Sequence, residues 1–504
     1  MTLKLTLALA LIAPPAFADV TYIQRPLPDH VYAGGWEHFV GGGVAAFDCN
    51  GDQFPELYVA GGENPAQLMR NVTTGVGEDL VFDARTPEAL AVSGVIGAYP
   101  LDIDGDAILD LAILRNGPDL LMQGLGDCAF APFADLDFTS GDHWTTAFSA
   151  TWEAGNTLPT LAFGTYVDRT DPDGPFGTCD ATLLYRPQGQ SYPAATRLEP
   201  GFCALSMLFT DWSRTGRADL RVSNDRHYYV RGGQEQMWAM EDTPRLFSQD
   251  DGWQPFMLWG MGIASRDLNG DGYSDVYLTS MGDQKLQYFA PDTGGPSYRD
   301  ATYARGTTAH RPYTGGDGRP STGWHAGFGD VNNDGLDDIF VSKGNVEQMP
   351  GAAMEDPNNL LIQSADGSFT ESGLEAGISN LARSRGAALM DLNMDGRLDL
   401  AVVNRRAQMG LYQNTSAQAN WLIVQLASPA PNTGSVGAHV ELRIGDRVQT
   451  REITVGGGHA SGQAGQIHFG LGQATAAEIR IIQPDQSASD WQQVTANQIV
   501  TLSH

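Results

Sequence analysis

Positive charge is scarce in this chain. Lys and Arg number 30 against 60 Asp and Glu, a net charge of −30. A surface of that sign repels a nucleic-acid backbone and an anionic bilayer alike, which excludes both as the main partner. Long apolar runs are also missing. No segment after the N-terminal stretch has 18 consecutive apolar residues, so no membrane span is expected. Cysteines number four, none in a C-x-x-C pair, which argues against zinc or redox work. Four cysteines suit an oxidising compartment and allow three pairings. Cys179–Cys203, closing a short loop inside one repeat, together with Cys49–Cys128 is the favoured set, with free buried thiols as the alternative. Catalytic signatures are absent: there is no G-x-S-x-G elbow, H-E-x-x-H, Walker motif or complete G-x-G-x-x-G. Gly260-Met-Gly262 leads into an acidic loop and reads as strand packing. The histidines, among them His227, His310, His325, His439, His459 and His468, offer no pair with metal-ligand spacing on one element. No catalytic residue is assigned, and the chain is read as a non-enzyme.

What is present is a recurring acidic loop of the form Asp-x-Asn/Asp-x-Asp-x-x-x-Asp/Glu, followed at once by an apolar run. Five copies are intact: Asp48 to Glu56, Asp102 to Asp110, Asp267 to Asp275, Asp330 to Asp338 and Asp391 to Asp399. Sixteen of the 60 acids lie at positions 1, 3, 5 and 9 of these loops. The interval from 102 to 267 is about three times the usual spacing, and two worn copies fill it. Asp211-Trp-Ser-Arg-Thr-Gly-Arg-Ala-Asp219 keeps the first and last acids but has Ser213 and Thr215 at positions 3 and 5. Trp152 to Thr160 overlays Asp48 to Glu56 but has lost the acids at positions 1 and 9.

Seven copies at spacings of 50 to 63 residues leave room for four short strands each. That period reads as a propeller, in which ring closure removes sheet edges. The 60 Gly and 27 Pro, many of them between short strand-like runs, agree with an all-β chain. The expected fold is a seven-bladed β-propeller over 19–417, followed by a small C-terminal β-domain over 418–504. Gly-rich runs such as Gly41-Gly-Gly-Val-Ala-Ala-Phe47 and Trp324-His-Ala-Gly-Phe-Gly329 precede the loops. Their small residues suit strands crowded at a propeller axis.

A Gly-rich strand, an acidic loop, then Asp-Leu/Ile and a strand resembles the FG-GAP (VCBS) repeats of integrin-α-type seven-bladed propellers, in register over roughly 36–415. Asn420 to Leu426, Gly437 to Arg443, Gln449 to His459, Ile467 to Gly472 and Ile479 to Ile482 resemble strands of the ASPIC/UnbV module. The order of the two resembles the cartilage acidic protein family and its bacterial secreted relatives.

Oxygens at positions 1, 3, 5 and 9 can close round one hard cation. The expected ligands are Asp48, Asn50, Asp52 and Glu56; Asp102, Asp104, Asp106 and Asp110; Asp267, Asn269, Asp271 and Asp275; Asp330, Asn332, Asp334 and Asp338; and Asp391, Asn393, Asp395 and Asp399. The position-7 carbonyls of Phe54, Ile108, Tyr273, Leu336 and Arg397 would join them. Calcium fits this flexible set of hard oxygens better than magnesium does. An EF-hand is excluded, because its position-12 Glu is replaced by Val59, Ile113, Leu278, Val341 and Val402 inside strands. About five calcium ions are expected, most securely at 267, 330 and 391, where Gly272, Gly335 and Gly396 permit φ > 0 at position 6. Gln53 and Ala107 stand there in the first two loops.

Residues 1–18 read as a secretory signal, with Lys4, an apolar stretch from Leu5 to Ala13 and Ala16-Phe17-Ala18 as the cleavage site. A secreted or periplasmic monomer starting at Asp19 is therefore expected. The leading function is an extracellular adhesion or interaction module with structural calcium and a protein or glycan partner. The alternative is a calcium-dependent polysaccharide lyase or hydrolase, which would place His227, Arg226, Arg311 or His325 beside an incompletely liganded ion. Two unusual stretches, Arg226 to Trp238 and Ala309 to Trp324, are the first places to look for a ligand.

Overall fold

The computed structural model describes residues 20–172, 177–225, 230 and 232–503. The expected signal 1–18 and the start at Asp19 lie outside the described residues, as do Arg226, His227 and Arg231. Among the described residues the regular structure is strand, with only short 3-10 turns besides.

Seven four-stranded antiparallel units follow one another along the described chain, the second and third joined by a short pairing of His143 and Trp144 with Gly117 and Asn116. Their first strands are Val44–Phe47, Val95–Leu101, His143–Thr151, Ala204–Thr210, Gly260–Arg266, Gly323–Gly329 and Arg383–Met390. Each touches the next, and the last touches the first, so the units form the ring of a propeller. The remaining strands of each unit lie progressively outward. One outer strand comes from elsewhere: Tyr22–Arg25 pairs with Gly410–Asn414 and completes the last unit.

The runs after the acidic loops are apolar on both faces because each sheet is sandwiched between two others. All four residues of Glu56–Val59 and all six of Asp338–Lys343 are buried. The cores accordingly lie between sheets: Val44, Leu57, Ile113, Ala401 and Leu411, from the first, second and last units, share one cluster. Each such Val, Leu or Ile side chain contributes about 1.5–3 kcal/mol. Both favoured disulfides are present and cross between units. Cys49–Cys128 links the first loop to the second unit, and Cys179–Cys203 links the third unit to the fourth.

The C-terminal strands form two sheets of their own. One orders Ile467–Gly472, Asn420–Ala427 and Gln498–Ser503; the other orders Arg447–Glu452, His439–Ile444, Ala476–Ile482 and Gln492–Thr495. Leu422, Val440, Leu442, Phe469 and Ile479 fill the core between them.

The run from Gln449 to His459 reads as one strand of this module, but the structure divides it. The strand ends at Glu452, and the following residues enter the propeller axis as a hairpin. On the way in, Ala150 N donates to Val455 O at 3.1 Å, Gly457 N to Met207 O at 2.7 Å and Gly458 N to Ile263 O at 2.6 Å. At the tip, His459 N donates to His325 Nδ1 at 3.1 Å. On the way out, Gly462 and Gln463 pair in parallel with Ala45 and Ala46. The small residues of the first strands are therefore set by the hairpin as well as by converging sheets. A Cβ on Gly97 would lie 2.0 Å from Ala460 O, and one on Gly386 would lie 2.2 Å from Ser461 Oγ.

Candidate metal centres

Each acidic loop connects the first and second strands of its unit, and all five intact copies share one hydrogen-bond pattern. The position-1 carboxylate folds the loop over itself. Its Oδ2 accepts the position-6 amide: Gln53 at 2.8 Å, Ala107 at 2.8 Å, Gly272 at 3.0 Å, Gly335 at 2.6 Å and Gly396 at 2.7 Å. The position-5 Oδ1 accepts the position-7 amide, at 2.8 Å from Phe54, Ile108 and Leu336, 2.9 Å from Tyr273 and 3.0 Å from Arg397. Side chains 1 and 5 therefore turn inward together. In the second loop carboxylate oxygens of Asp102, Asp104 and Asp106 lie within 4.8 Å of one another.

Position 6 is left-handed in every intact loop, with φ of 75° at Gln53 and 67° at Ala107 beside 87°, 90° and 82° at the three glycines. The first two loops thus adopt the same backbone as the others at a cost of about 1–2 kcal/mol each.

Position 9 has a second role that spacing did not reveal. Asp110 accepts Ile103 N at 2.7 Å and Gly124 N at 2.7 Å. Asp275, Asp338 and Asp399 likewise take one amide from their own loop and one from the third strand or its end. This acid ties the loop to the sheet. The worn fourth copy proves the point. Asp219 still accepts Met240 N at 2.8 Å and the Trp212 indole at 2.7 Å, although Ser213 and Thr215 have replaced the other ligands. Two arginines of that loop, at positions 4 and 7, make polar contacts of their own. Arg217 lies 3.3 Å from Asp219, and Arg214 bonds Gly272 O at 3.1 Å and Glu441 at 3.0 Å.

The residues fit a hard divalent cation. Burial, reinforced by neighbouring acids, pushes Asp110 and Asp275 up to about 8, Asp391 and Glu56 to about 7 and Asp267 to about 6. Asp330, Asp338 and Asp399 are raised in the same way. A bound cation would remove that penalty. In the last loop the Oδ1 of Asn393, at position 3, is buried without a hydrogen-bond partner, an orphaned acceptor where a ligand oxygen is expected.

The 309–324 stretch lies where the first strand of its unit begins, at the opposite end from these loops, and the described end of the 226–238 stretch enters the strand Gln236–Ala239. His310 bonds Asp283, and Ser321 and Thr322 bond Asp356, which holds the fully buried Lys343 at 2.9 Å. His325 meets the hairpin tip in the channel, and burial lowers it to about 3. Trp324 is sandwiched there, with the Arg385 guanidinium 4.0 Å above its ring and the His459 ring 5.0 Å away. Chain order kept these groups apart; threading brings them together.

A family model for the FG-GAP-like repeat matches residues 330–402, and one for ASPIC and UnbV matches residues 428–504. The human protein cartilage acidic protein 1 is 26% identical over 181 residues, 34% of this chain and 24% of that protein. The chain thus spans about a quarter of the curated relative's length. Among solved structures, BBS1N in complex with ARL6DN covers 78% of this chain and 97% of its own at 8% identity and a TM-score of 0.43. The extracellular domain of a hybrid two-component system from B. thetaiotaomicron covers 92% and 57% at 11% identity and 0.38. An Agrocybe aegerita lectin recognising non-reducing terminal N-acetylglucosamine covers 70% and 87% at 15% identity and 0.37. By these matches, residues 330–402 are similar to the FG-GAP-like repeat, residues 428–504 to the ASPIC and UnbV family, and part of the chain has a distant likeness to cartilage acidic protein 1.

Proposed function

We propose that this protein is a secreted, calcium-binding propeller that serves as an extracellular interaction module, its calcium ions structural and its partner a protein or a glycan. The observation that carries the reading is the hydrogen-bond geometry shared by five acidic loops, in each of which the position-1 and position-5 carboxylates accept loop amides at the join of two strands. When bound, calcium would supply the positive charge that those buried acids lack. Asp48, Asp102, Asp267, Asp330 and Asp391 shape the loops, the position-5 acids orient the position-7 residues, and Asp110, Asp275, Asp338 and Asp399 fasten their loops to the sheet, whereas Glu56 bonds within its own loop. Two disulfides accord with an oxidising compartment. The end of the ring left free by the C-terminal module, where the 309–324 stretch lies, is the surface we assign to the partner.

With free calcium at ten times Kd, each site adds about 1.4 kcal/mol, and millimolar calcium outside cells suffices for modules of this kind. Metal analysis of the purified protein should find about five calcium ions, and chelation should lower Tm by many degrees. Two or fewer ions, or an unmoved Tm, would refute structural calcium. A glycan and secreted-protein binding screen with and without chelator identifies the partner class. Retention of hits only with calcium supports the reading, and polysaccharide cleavage by the purified chain would replace it.

A further inference from the structure

The acidic loops differ in what covers them. In the first loop Asp52 is exposed, and a Cβ added at Gly51 would meet nothing within 4 Å. The sixth and seventh loops lie beneath the C-terminal module. Asp330, Asp338, Asn393, Asp391 and Asp399 are all at most 1% exposed. The module reaches them through close contacts: Gly472 N donates to Asn333 O at 2.8 Å, Gln466 Nε2 to Asp391 O at 3.0 Å, and His468 Nε2 lies 3.1 Å from Gly396 O. No larger side chain fits at the seams. A Cβ on Gly470 would lie 1.8 Å from Asp330 Oδ2, and one on Gly396 would lie 2.0 Å from the Trp421 ring.

The module therefore covers two clusters of carboxylates, and it brings them little charge beyond Arg447, whose guanidinium bonds Gly335 O beside Asp334 in the sixth loop. Its Arg451 is already engaged by Asp337 at 2.9 Å, outside the ligand positions. In the seventh loop Arg397 meets Asp395, leaving Asp391 and Asp399 without a cationic partner among the ion pairs of the described residues. Closing a low-dielectric lid over unneutralised acids is expensive. The buried, unpartnered Oδ1 of Asn393 marks the same loop as incomplete. The same module carries the axial hairpin, so whatever seats the one also holds the other.

We propose that calcium in the sixth and seventh loops is the latch that seats the C-terminal module and keeps its 455–464 hairpin in the propeller channel. This rests on the calcium-binding reading above and adds a coupling to it. Because coupling is reciprocal, the seated module in turn raises the affinity of those two sites by the same factor, while the first-loop site gains nothing from it.

The test is hydrogen exchange of the full-length chain, read at 455–464 and 467–472, with total calcium measured in parallel. In excess calcium the hairpin amides should be strongly protected, and chelation should cut that protection by about tenfold or more, within the usual range of coupling factors. D334N and D395N should each lose one ion and show the unprotected hairpin even in calcium. D52N should lose one ion and leave the hairpin protected, which separates a latch from general loss of stability. Full hairpin protection after the metal has been stripped overturns the latch and leaves calcium binding standing. Equal loss of protection in D52N also overturns it. A native chain that takes up no calcium overturns both readings.

Discussion

Replacing Gly97 by alanine tests the threaded hairpin through the sign of one free-energy change. Gly97 lies in the strand Val95–Leu101, and its φ is not in the left-handed region. In an unobstructed strand the added methyl would stabilise the fold by about 0.5–1 kcal/mol, because glycine loses more conformational freedom on folding. Here the three atoms nearest the new Cβ all belong to Ala460: O at 2.0 Å, Cβ at 2.7 Å and C at 2.8 Å. The obstacle is mainly backbone, so the hairpin tip itself has to move. That movement strains the bonds beside it, such as Val44 N to Ser461 Oγ at 3.0 Å. Overpacking plus one weakened hydrogen bond gives a loss of about 2–3 kcal/mol. Urea unfolding followed by tryptophan fluorescence reports the midpoint, and hydrogen exchange at 455–464 locates the damage. An unchanged or raised midpoint with a protected hairpin would mean that the segment does not lie against Gly97.

Other expectations follow from the loops and from one buried pair. Gln53→Gly should stabilise the protein by about 1 kcal/mol by relieving a left-handed residue, whereas Gly396→Ala should destabilise it by more because Trp421 also blocks the site; thermal shifts in calcium check both signs. Asp219→Asn should cost about 1–3 kcal/mol by leaving Met240 N or the Trp212 indole unmatched, and the same amount with calcium or chelator, since that loop has lost its ligand set; a calcium-dependent cost would contradict the fastening role. His143 lies 2.8 Å from Asp180, which raises its pKa through that hydrogen bond, against the lowering by burial and by Arg197. A raised folded pKa means the pair's stabilisation is complete below the unfolded value of about 6.5 and fades as pH climbs through the folded value. Stability curves of the native chain and His143→Gln should therefore converge as pH rises above neutrality. Curves that stay parallel would show that the pair does not titrate in this range.

The parts of the structure that repeat were legible in the sequence. The loop spacing located the joins of first and second strands, including the worn copies at Trp152 and Asp211, because a closed ring tolerates no missing unit. The two cysteine pairs are the ones the sequence favours, but Cys179–Cys203, expected to close a loop inside one repeat, instead joins the third unit to the fourth. Unique features were not legible. Tyr22–Arg25 carries no repeat signature, and four residues of extended chain give no sign that they pair with a strand near residue 414. Val455-Gly-Gly-Gly-His459 continues an alternating pattern, so it reads as more strand until a channel exists to receive it. His325 and His459 meet only because of that threading, and spacing arguments within one element do not reach such pairs. Position 9 was read as a ligand from its charge alone. Its fastening role appears only when the third strand is seen beside it.

The strand Tyr22–Arg25 also says something about how the molecule comes to exist. Thr21 N donates to Ser416 Oγ across 395 residues of chain at the seam of the ring. As the polypeptide emerges, its first strand must wait for nearly all the propeller before it finds a partner, and the residues that fill the axis arrive later still. Contacts of such separation are paid for in loop entropy before they return anything, and they slow folding. Until the seam closes, an unpaired strand edge stays open at the last unit. A chain cut short before residue 410 cannot complete its circle and would present that edge to chaperones and proteases, so the placement of one short strand makes the finished ring a check that synthesis ran past the propeller's end.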